Sequence, residues 1–247
     1  MTTSTLLEID HVSVRFGGLV AVDHASFSLQ QGQVTALIGP NGAGKTTLFN
    51  VITGLTAPTG GRVLLDGQDV TGWPAHRRAR AGIARTFQRL EVFGSLSVLD
   101  NVLTAAELRR GWDKDAPPAR QVARDALHRV GLLRYADAMA DAVPTGVARL
   151  MELARALALA PRLLLLDEPS SGLSLAERED FADLLRELAA QDGVGVLLVE
   201  HDVDLVMNLC HAVHVLDFGQ VICSGSPAVV QSDARVQQAY LGVAAAS

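Results

Sequence analysis

The sequence predicts an α/β fold built on a largely parallel sheet, from three observations. Short, nearly continuous apolar runs recur at residues 34–38, 163–166 and 194–199, and runs of this kind mark strands buried on both faces. Helical patterns lie between them, and buried strands alternating with helices assemble into parallel sheets. A glycine-rich turn follows the first run and leads directly into a helical pattern.

In chain order, Val12, Val14 and Phe16 alternate with polar residues, as do Phe27 and Leu29, which predicts half-buried antiparallel strands at the N-terminus. Residues 34–38 form the first buried strand. Residues 46–53 carry Leu48, Phe49, Val51 and Ile52 and read as a helix, with Gly54 where a C-terminal stop belongs. Residues 89–160 are rich in Ala, Arg and Leu and read as mostly helical, with one break at 113–118. The expectation is a helical subdomain inserted into a core of residues 1–88 and 161–225. Residues 213–216 supply a further strand, and the tail, 226–247, reads as a short helix after Pro227. The 247 residues read as a single domain without internal repeats.

Composition narrows the function. Hydrophobic residues make up 49% of the chain, enough for a large core, and the net charge of −6 provides no basic field for nucleic acid. Cys210 and Cys223 form no CxxC pair, so neither a zinc site nor a disulfide framework is expected, and a reducing compartment suits them. The first ten residues lack a basic segment followed by an apolar one, so no signal peptide is expected. The most apolar stretch, 157–166, is broken by Pro161 and Arg162 and falls short of the ~20 residues of a spanning helix. Membrane association would have to run through a partner.

Gly39-Pro40-Asn41-Gly42-Ala43-Gly44-Lys45-Thr46 matches GxxxxGK[ST] between a buried strand and a helix. The glycines let backbone N–H groups turn inward around phosphate oxygens, and the helix N-terminus adds partial positive charge. Lys45 reaches the terminal phosphates, and the Thr46 hydroxyl serves Mg²⁺. The chain has 21 basic residues, yet only Lys45 and Lys114 are lysine. A compact ammonium suits this position where a planar guanidinium would not. The run 163–166 ends in Asp167 and Glu168. After a phosphate-binding loop, the aspartate at that strand end helps hold Mg²⁺, and the neighbouring carboxylate suits a general base. The run 194–199 ends in Glu200-His201-Asp202. A lone histidine there is ordinarily structural.

These motifs, in this order, resemble the ATP-binding cassette of ABC transporters over about residues 6–242. The resemblance implies a P-loop NTPase with a RecA-like core, an N-terminal antiparallel β region and the inserted helical subdomain. It implies ATP and Mg²⁺ as cofactors. Phe16 takes the place of an aromatic that stacks on adenine. Gln88, in Arg85-Thr86-Phe87-Gln88, matches the glutamine that senses Mg²⁺ and the attacking water. Pro169-Ser170-Ser171-Gly172-Leu173-Ser174 matches the segment that crosses a dimer interface, and His201 the switch histidine. The implied nucleotide-binding residues are Phe16, Gly39, Asn41, Gly42, Ala43, Gly44, Lys45, Thr46 and Thr47. Thr46, Gln88 and Asp167 are the implied Mg²⁺ ligands, and Glu168, His201 and Gln88 the implied catalytic residues.

A narrower resemblance joins residues 15–22, Arg85-Thr86-Phe87-Gln88, residues 96–102 and 200–207, and Ala239-Tyr240-Leu241-Gly242 to the branched-chain amino acid importer ATPases. It implies a second, related ATPase subunit, transmembrane permease subunits and an extracytoplasmic solute-binding protein, with the chain peripheral on the cytoplasmic face of the membrane and no role for nucleic acid. Residues 89–112, carrying Leu90, Val92, Phe93 and Leu96 beside charges, are the expected docking surface for a permease. One segment departs from the pattern. The family's LSGGQ-type signature should precede Leu153-Ala154-Arg155, but the chain has Val143-Pro144-Thr145-Gly146-Val147 there. Pro144 stands at the serine position and Val147 at the glutamine position. Ser174 likewise replaces the usual Asn or Asp. A non-transport ATPase of the same family and a weakly hydrolysing regulatory cassette are the competing readings.

Overall fold

The computed structural model describes residues 4–244, with side chains through Tyr240. Residues 1–3 and 245–247, and the side chains of residues 241–244, lie outside the described residues, so Leu241 and Gly242 are described by backbone alone. Two sheets form. In the first, β1 (Thr5–Phe16), β2 (Leu19–Gln30), β4 (Gly60–Leu65) and β5 (Gln68–Asp69) run antiparallel in the order β2-β1-β4-β5. The alternation seen in the sequence sets the faces: Val12, Val14, Phe27 and Leu29 are buried. The second sheet contains β3 (Val34–Ile38), β6 (Ile83–Arg85), β7 (Leu163–Asp167), β8 (Gly195–Val199), β9 (Ala212–Asp217) and β10 (Gln220–Gly225). Its order is β10-β9-β3-β8-β7-β6, and all neighbours are parallel except the β9–β10 hairpin. Every residue of β3, β7 and β8 is buried, as continuous apolar runs require.

α1 (Lys45–Thr53) follows β3 and ends on Gly54 in the left-handed conformation, φ 77°. α2 (Ala75–Arg80) precedes β6. Three helices separate β6 from β7: α3 (Val98–Trp112), α4 (Ala119–Arg129) and α5 (Thr145–Ala158). This stretch is less continuously helical than its composition suggests. Residues 89–97 are irregular, held by the fully buried Asn101, whose Oδ1 accepts from the Phe93 N–H and whose Nδ2 donates to the Phe93 and Ser97 carbonyls. A second break, carrying only a 3₁₀ turn at Leu133–Tyr135, separates α4 from α5, where Gly131 takes φ 72°. α6 (Leu175–Asp192) starts with a capping box between Ser174 and Glu177. α7 (Val203–Leu209), α8 (Pro227–Ser232) and α9 (Ala234–Ala244) complete the chain, with Pro227 at the first turn of α8.

His214 of β9 fastens one sheet to the other. Its Nδ1 lies 2.8 Å from the Ser224 hydroxyl and its Nε2 3.2 Å from the Ser28 carbonyl oxygen, with the ring against Phe27. The carbonyl fixes Nε2 as the donor, and in the neutral ring Nδ1 accepts from the Ser224 hydroxyl. Burial lowers its pKa to about 4. The folded state therefore binds fewer protons than the unfolded chain between the unfolded pKa of ~6.5 and about 4. This stabilisation is complete above pH ~6.5 and is lost as pH falls from there toward 4. Between pH 7 and 5 the wild type is expected to lose about 2 kcal/mol through this residue. Urea unfolding of a His214→Gln variant should show a pH 7-to-5 loss smaller by about that amount, and an undiminished loss would contradict the assignment.

Candidate nucleotide site

The sheet order brings the chemistry together. β3, β8 and β7 are adjacent and parallel, so their C-terminal ends deliver three segments to one edge: the 39–46 loop, His201 and the Asp167-Glu168 pair. A cleft of about 410 Å³ opens there. It is lined by Phe16, Leu19, Asn41, Gly42, Ala43, Gly44, Lys45, Thr46, Thr47, Gln88, Asp167, Glu168 and His201, among others. All of the predicted site residues except Gly39 therefore share one cavity. Gly39 sits behind it at the end of β3, where a Cβ would stand 2.0 Å from the Leu216 carbonyl oxygen. Gly44 takes φ 106°, and a Cβ there would meet the Ala21 carbonyl oxygen at 2.4 Å. Both positions require glycine because neighbouring backbone occupies the side-chain space.

Lys45 opens α1 and folds back over the loop, donating to the Gly39 carbonyl at 2.6 Å and the Pro40 carbonyl at 2.9 Å. Burial lowers its pKa, and the nearby carboxylates of Glu168 and Asp167 act in the opposite sense. Glu168 adopts φ 50°, a left-handed conformation that is costly for a residue with a side chain. Its N–H donates to the Val199 carbonyl at 2.9 Å, and the turn directs its carboxylate into the cleft. One oxygen, Oε1, meets both Gln88 Nε2 at 3.0 Å and His201 Nε2 at 2.9 Å. The three expected catalytic residues thus converge on a single atom. Phe16 is 54% exposed at the cleft rim, an unusual position for a phenylalanine with no surface to cover.

Several residues around the site escaped the sequence reading. Glu200 is buried at the end of β8, its Oε1 accepting from the Ser170 N–H at 2.8 Å, which ties the crossing segment to the sheet. Arg149 of α5 donates to the Phe87 carbonyl at 2.9 Å and the Gln88 carbonyl at 2.6 Å. Glu152, one turn on, accepts from the Glu91 N–H at 2.7 Å, and burial raises its pKa. Arg78, 1% exposed, donates to the Val51 and Ile52 carbonyls and satisfies the C-terminus of α1. Arg85 pairs with Asp167. The i, i+3 spacing of Arg149 and Glu152 was visible in the sequence, but nothing there indicated their partners.

A glycine-rich loop at the end of a central parallel strand, with an acidic strand end and a histidine beside it, defines a P-loop nucleotide-binding protein. Comparison with known proteins places it within that class. The family model described as ABC transporter matches residues 22–171, and the model described as branched-chain amino acid ATP-binding cassette transporter matches residues 220–246. The chain belongs to the ABC transporter family, as an ATP-binding cassette. It is 38% identical to the high-affinity branched-chain amino acid transport ATP-binding protein BraF of Pseudomonas aeruginosa and 37% identical to LivG of Escherichia coli, covering 97% of this chain and 98% of each relative. It is 36% identical to the lipopolysaccharide export system ATP-binding protein LptB of Acidithiobacillus ferridurans, with the same coverage. Among solved structures, the ADP conformation of MJ1267, an ATP-binding cassette of an ABC transporter, superposes with a TM-score of 0.86 at 32% identity, covering 97% of this chain and all of that one. The chain is accordingly a nucleotide-binding ATPase whose hydrolysis is coupled to transport. Among the described residues no helix is long and apolar enough to cross a membrane.

Proposed function

We propose that this chain energises import of branched-chain or related amino acids as the ATPase subunit of a transporter. The observation that carries the proposal is similarity to BraF and LivG along nearly the whole chain, joined by the match at residues 220–246. ATP lies in the cleft, with its phosphates on the loop amides and Lys45 and its adenine against Phe16. The donors around the phosphates fit Mg²⁺, because the Thr46 hydroxyl, the Gln88 amide oxygen and the Asp167 carboxylate are hard oxygen ligands on one cleft. Asp167 accepts from Arg85 through Oδ2 only, which leaves Oδ1 free of hydrogen bonds among the described residues. Held by these residues, Mg²⁺ would supply charge neutralisation at the phosphates. Glu168 is the base for the attacking water, and Gln88 and His201 hold its carboxylate until nucleotide enters.

The partner is a second, different cassette. Support comes from the start of α5, where the family presents its signature. Pro144 occupies the N-cap and makes no side-chain cap, and Val147 is buried in the core, 8% exposed. Neither position offers a polar side chain to a phosphate held by the facing subunit. The permease docks on the groove beside Gln88, about 350 Å³, where Phe87, Phe93 and Leu108 are exposed between Glu91, Glu152 and Arg155. Of the four apolar residues expected there, Phe93 is exposed while Val92 packs against the core. The solute-binding protein engages the permease from the other side of the membrane. Co-expression with the candidate partner cassette and permeases tests this reading. ATP hydrolysis should be slow for the chain alone and fast in the complex, and a Leu108→Cys variant should crosslink to a permease. Fast, cooperative hydrolysis by the isolated chain, or crosslinks that never reach a permease, would refute it.

A further inference from the structure

Arg85 ends β6, three residues before Gln88, on the edge strand of the core sheet. Its side chain is 6% exposed, and that of Asp167, its partner, is 3% exposed. One guanidinium nitrogen donates to Asp167 Oδ2 at 2.9 Å and another to Asn50 Oδ1 at 2.6 Å, on α1. The guanidinium lies 5.4 Å from the Phe49 ring centre and 4.8 Å from that of Phe87. A single planar cation therefore touches the helix behind the phosphate-binding loop, the acidic strand end and the segment leading to Gln88. Lysine could not make these contacts together, because only the planar fork offers several fixed donors.

A second observation points to the same place. Among the described residues, the buried side-chain nitrogens and oxygens without a hydrogen-bond partner are Arg85 Nε, Thr86 Oγ1 and Arg149 Nε. All three adjoin the Phe87–Gln88 segment, since Arg149 holds both of its carbonyls. Unsatisfied buried groups are costly and rare, and their concentration here marks a segment whose hydrogen bonding is incomplete in this arrangement.

We propose that Arg85 is a positioning residue: it holds Asp167 with one oxygen turned to the metal and couples that carboxylate to α1 and to the Gln88 segment. The proposal rests on the reading that Asp167 faces Mg²⁺. Without the guanidinium, the buried carboxylate must seek another cation, and Lys45 is the one that acts on it across the cleft. Asp167 would then be drawn toward Lys45 and away from the metal.

The test is ATP affinity by calorimetry, with Mg²⁺ and with EDTA, in the full chain. Asp167→Asn should abolish the gain in affinity that Mg²⁺ brings; if it does not, the reading of Asp167 itself is wrong. Arg85→Met should cut that gain about tenfold or more while costing clearly less affinity in EDTA, because the loop amides are untouched and only the pull of Asp167 on Lys45 acts there. Arg85→Lys should recover part of the gain, since an ammonium can meet Asp167 but not Asn50 at the same time. Asn50→Ala keeps the ion pair, so no buried carboxylate is left unpaired as in Arg85→Met, and it should lower the gain about threefold. With Asp167→Asn behaving as expected, an unchanged Mg²⁺ gain in Asn50→Ala and Arg85→Lys overturns the proposal. So does an equal loss of affinity with and without Mg²⁺, which would mean general loosening of the loop.

Discussion

Glu168→Gln is expected to retain ATP binding while slowing hydrolysis by about 10²–10⁴-fold, the contribution of a positioned general base. The amide nearly matches the carboxylate in shape, so the left-handed turn at Glu168 and its backbone bond to Val199 can persist. The phosphate contacts proposed for Lys45 and the loop do not involve this side chain. What is lost is the acceptor for the proton of water, and with it one carboxylate against His201 Nε2. Equilibrium binding and single-turnover hydrolysis, measured on the same preparation, separate the two effects; wild-type turnover would remove Glu168 from the mechanism. In a mixed pair the position of the substitution matters. The site containing Lys45 and Glu168 would be completed by the partner's signature, whereas the partner's ATP would face Pro144 and Val147. A missing hydrogen bond to a charged phosphate is worth roughly 1.5–3 kcal/mol. Removing Glu168 should therefore cost the complex more turnover than removing the partner's equivalent base.

Lys45→Ala is expected to abolish detectable hydrolysis and to weaken ATP binding severely. The ammonium is buried at the start of α1 and bridges the Gly39 and Pro40 carbonyls, poised over the loop proposed to wrap the phosphates. Truncation removes the positive side chain from the phosphate pocket, where low dielectric magnifies its effect. It also leaves two carbonyls without their donor. Circular dichroism and thermal melting should show the fold retained, because α1 keeps Leu48, Phe49, Val51 and Ile52 in the core. Full turnover in this variant would be incompatible with the assigned site.

The chain order itself determined much of this. Strand–turn–helix at 34–53 is contiguous, so glycine positions, the flanking apolar run and the helix stop at Gly54 are all local properties that one stretch of sequence records. The same holds for Leu163-Leu164-Leu165-Leu166-Asp167-Glu168, where burial on both faces demands an unbroken apolar run and the chemistry follows it directly. The pairing of Arg85 with Asp167 joins residues 82 positions apart, and Arg78 reaches α1 across 26 and 27. Nothing local distinguishes these arginines from the others in an arginine-rich chain. β6 is three residues long, too short to show a period, and exists because β7 offers it an edge. The break between α4 and α5 was hidden because its apolar residues continue a helical composition while the backbone leaves the helix. That β8 lies between β3 and β7, bringing His201 to Glu168, is a fact of sheet order. Sequence periodicity fixes which face of a strand is buried, but strand order depends on side-chain and backbone pairings between distant segments, and only the folded chain supplies those.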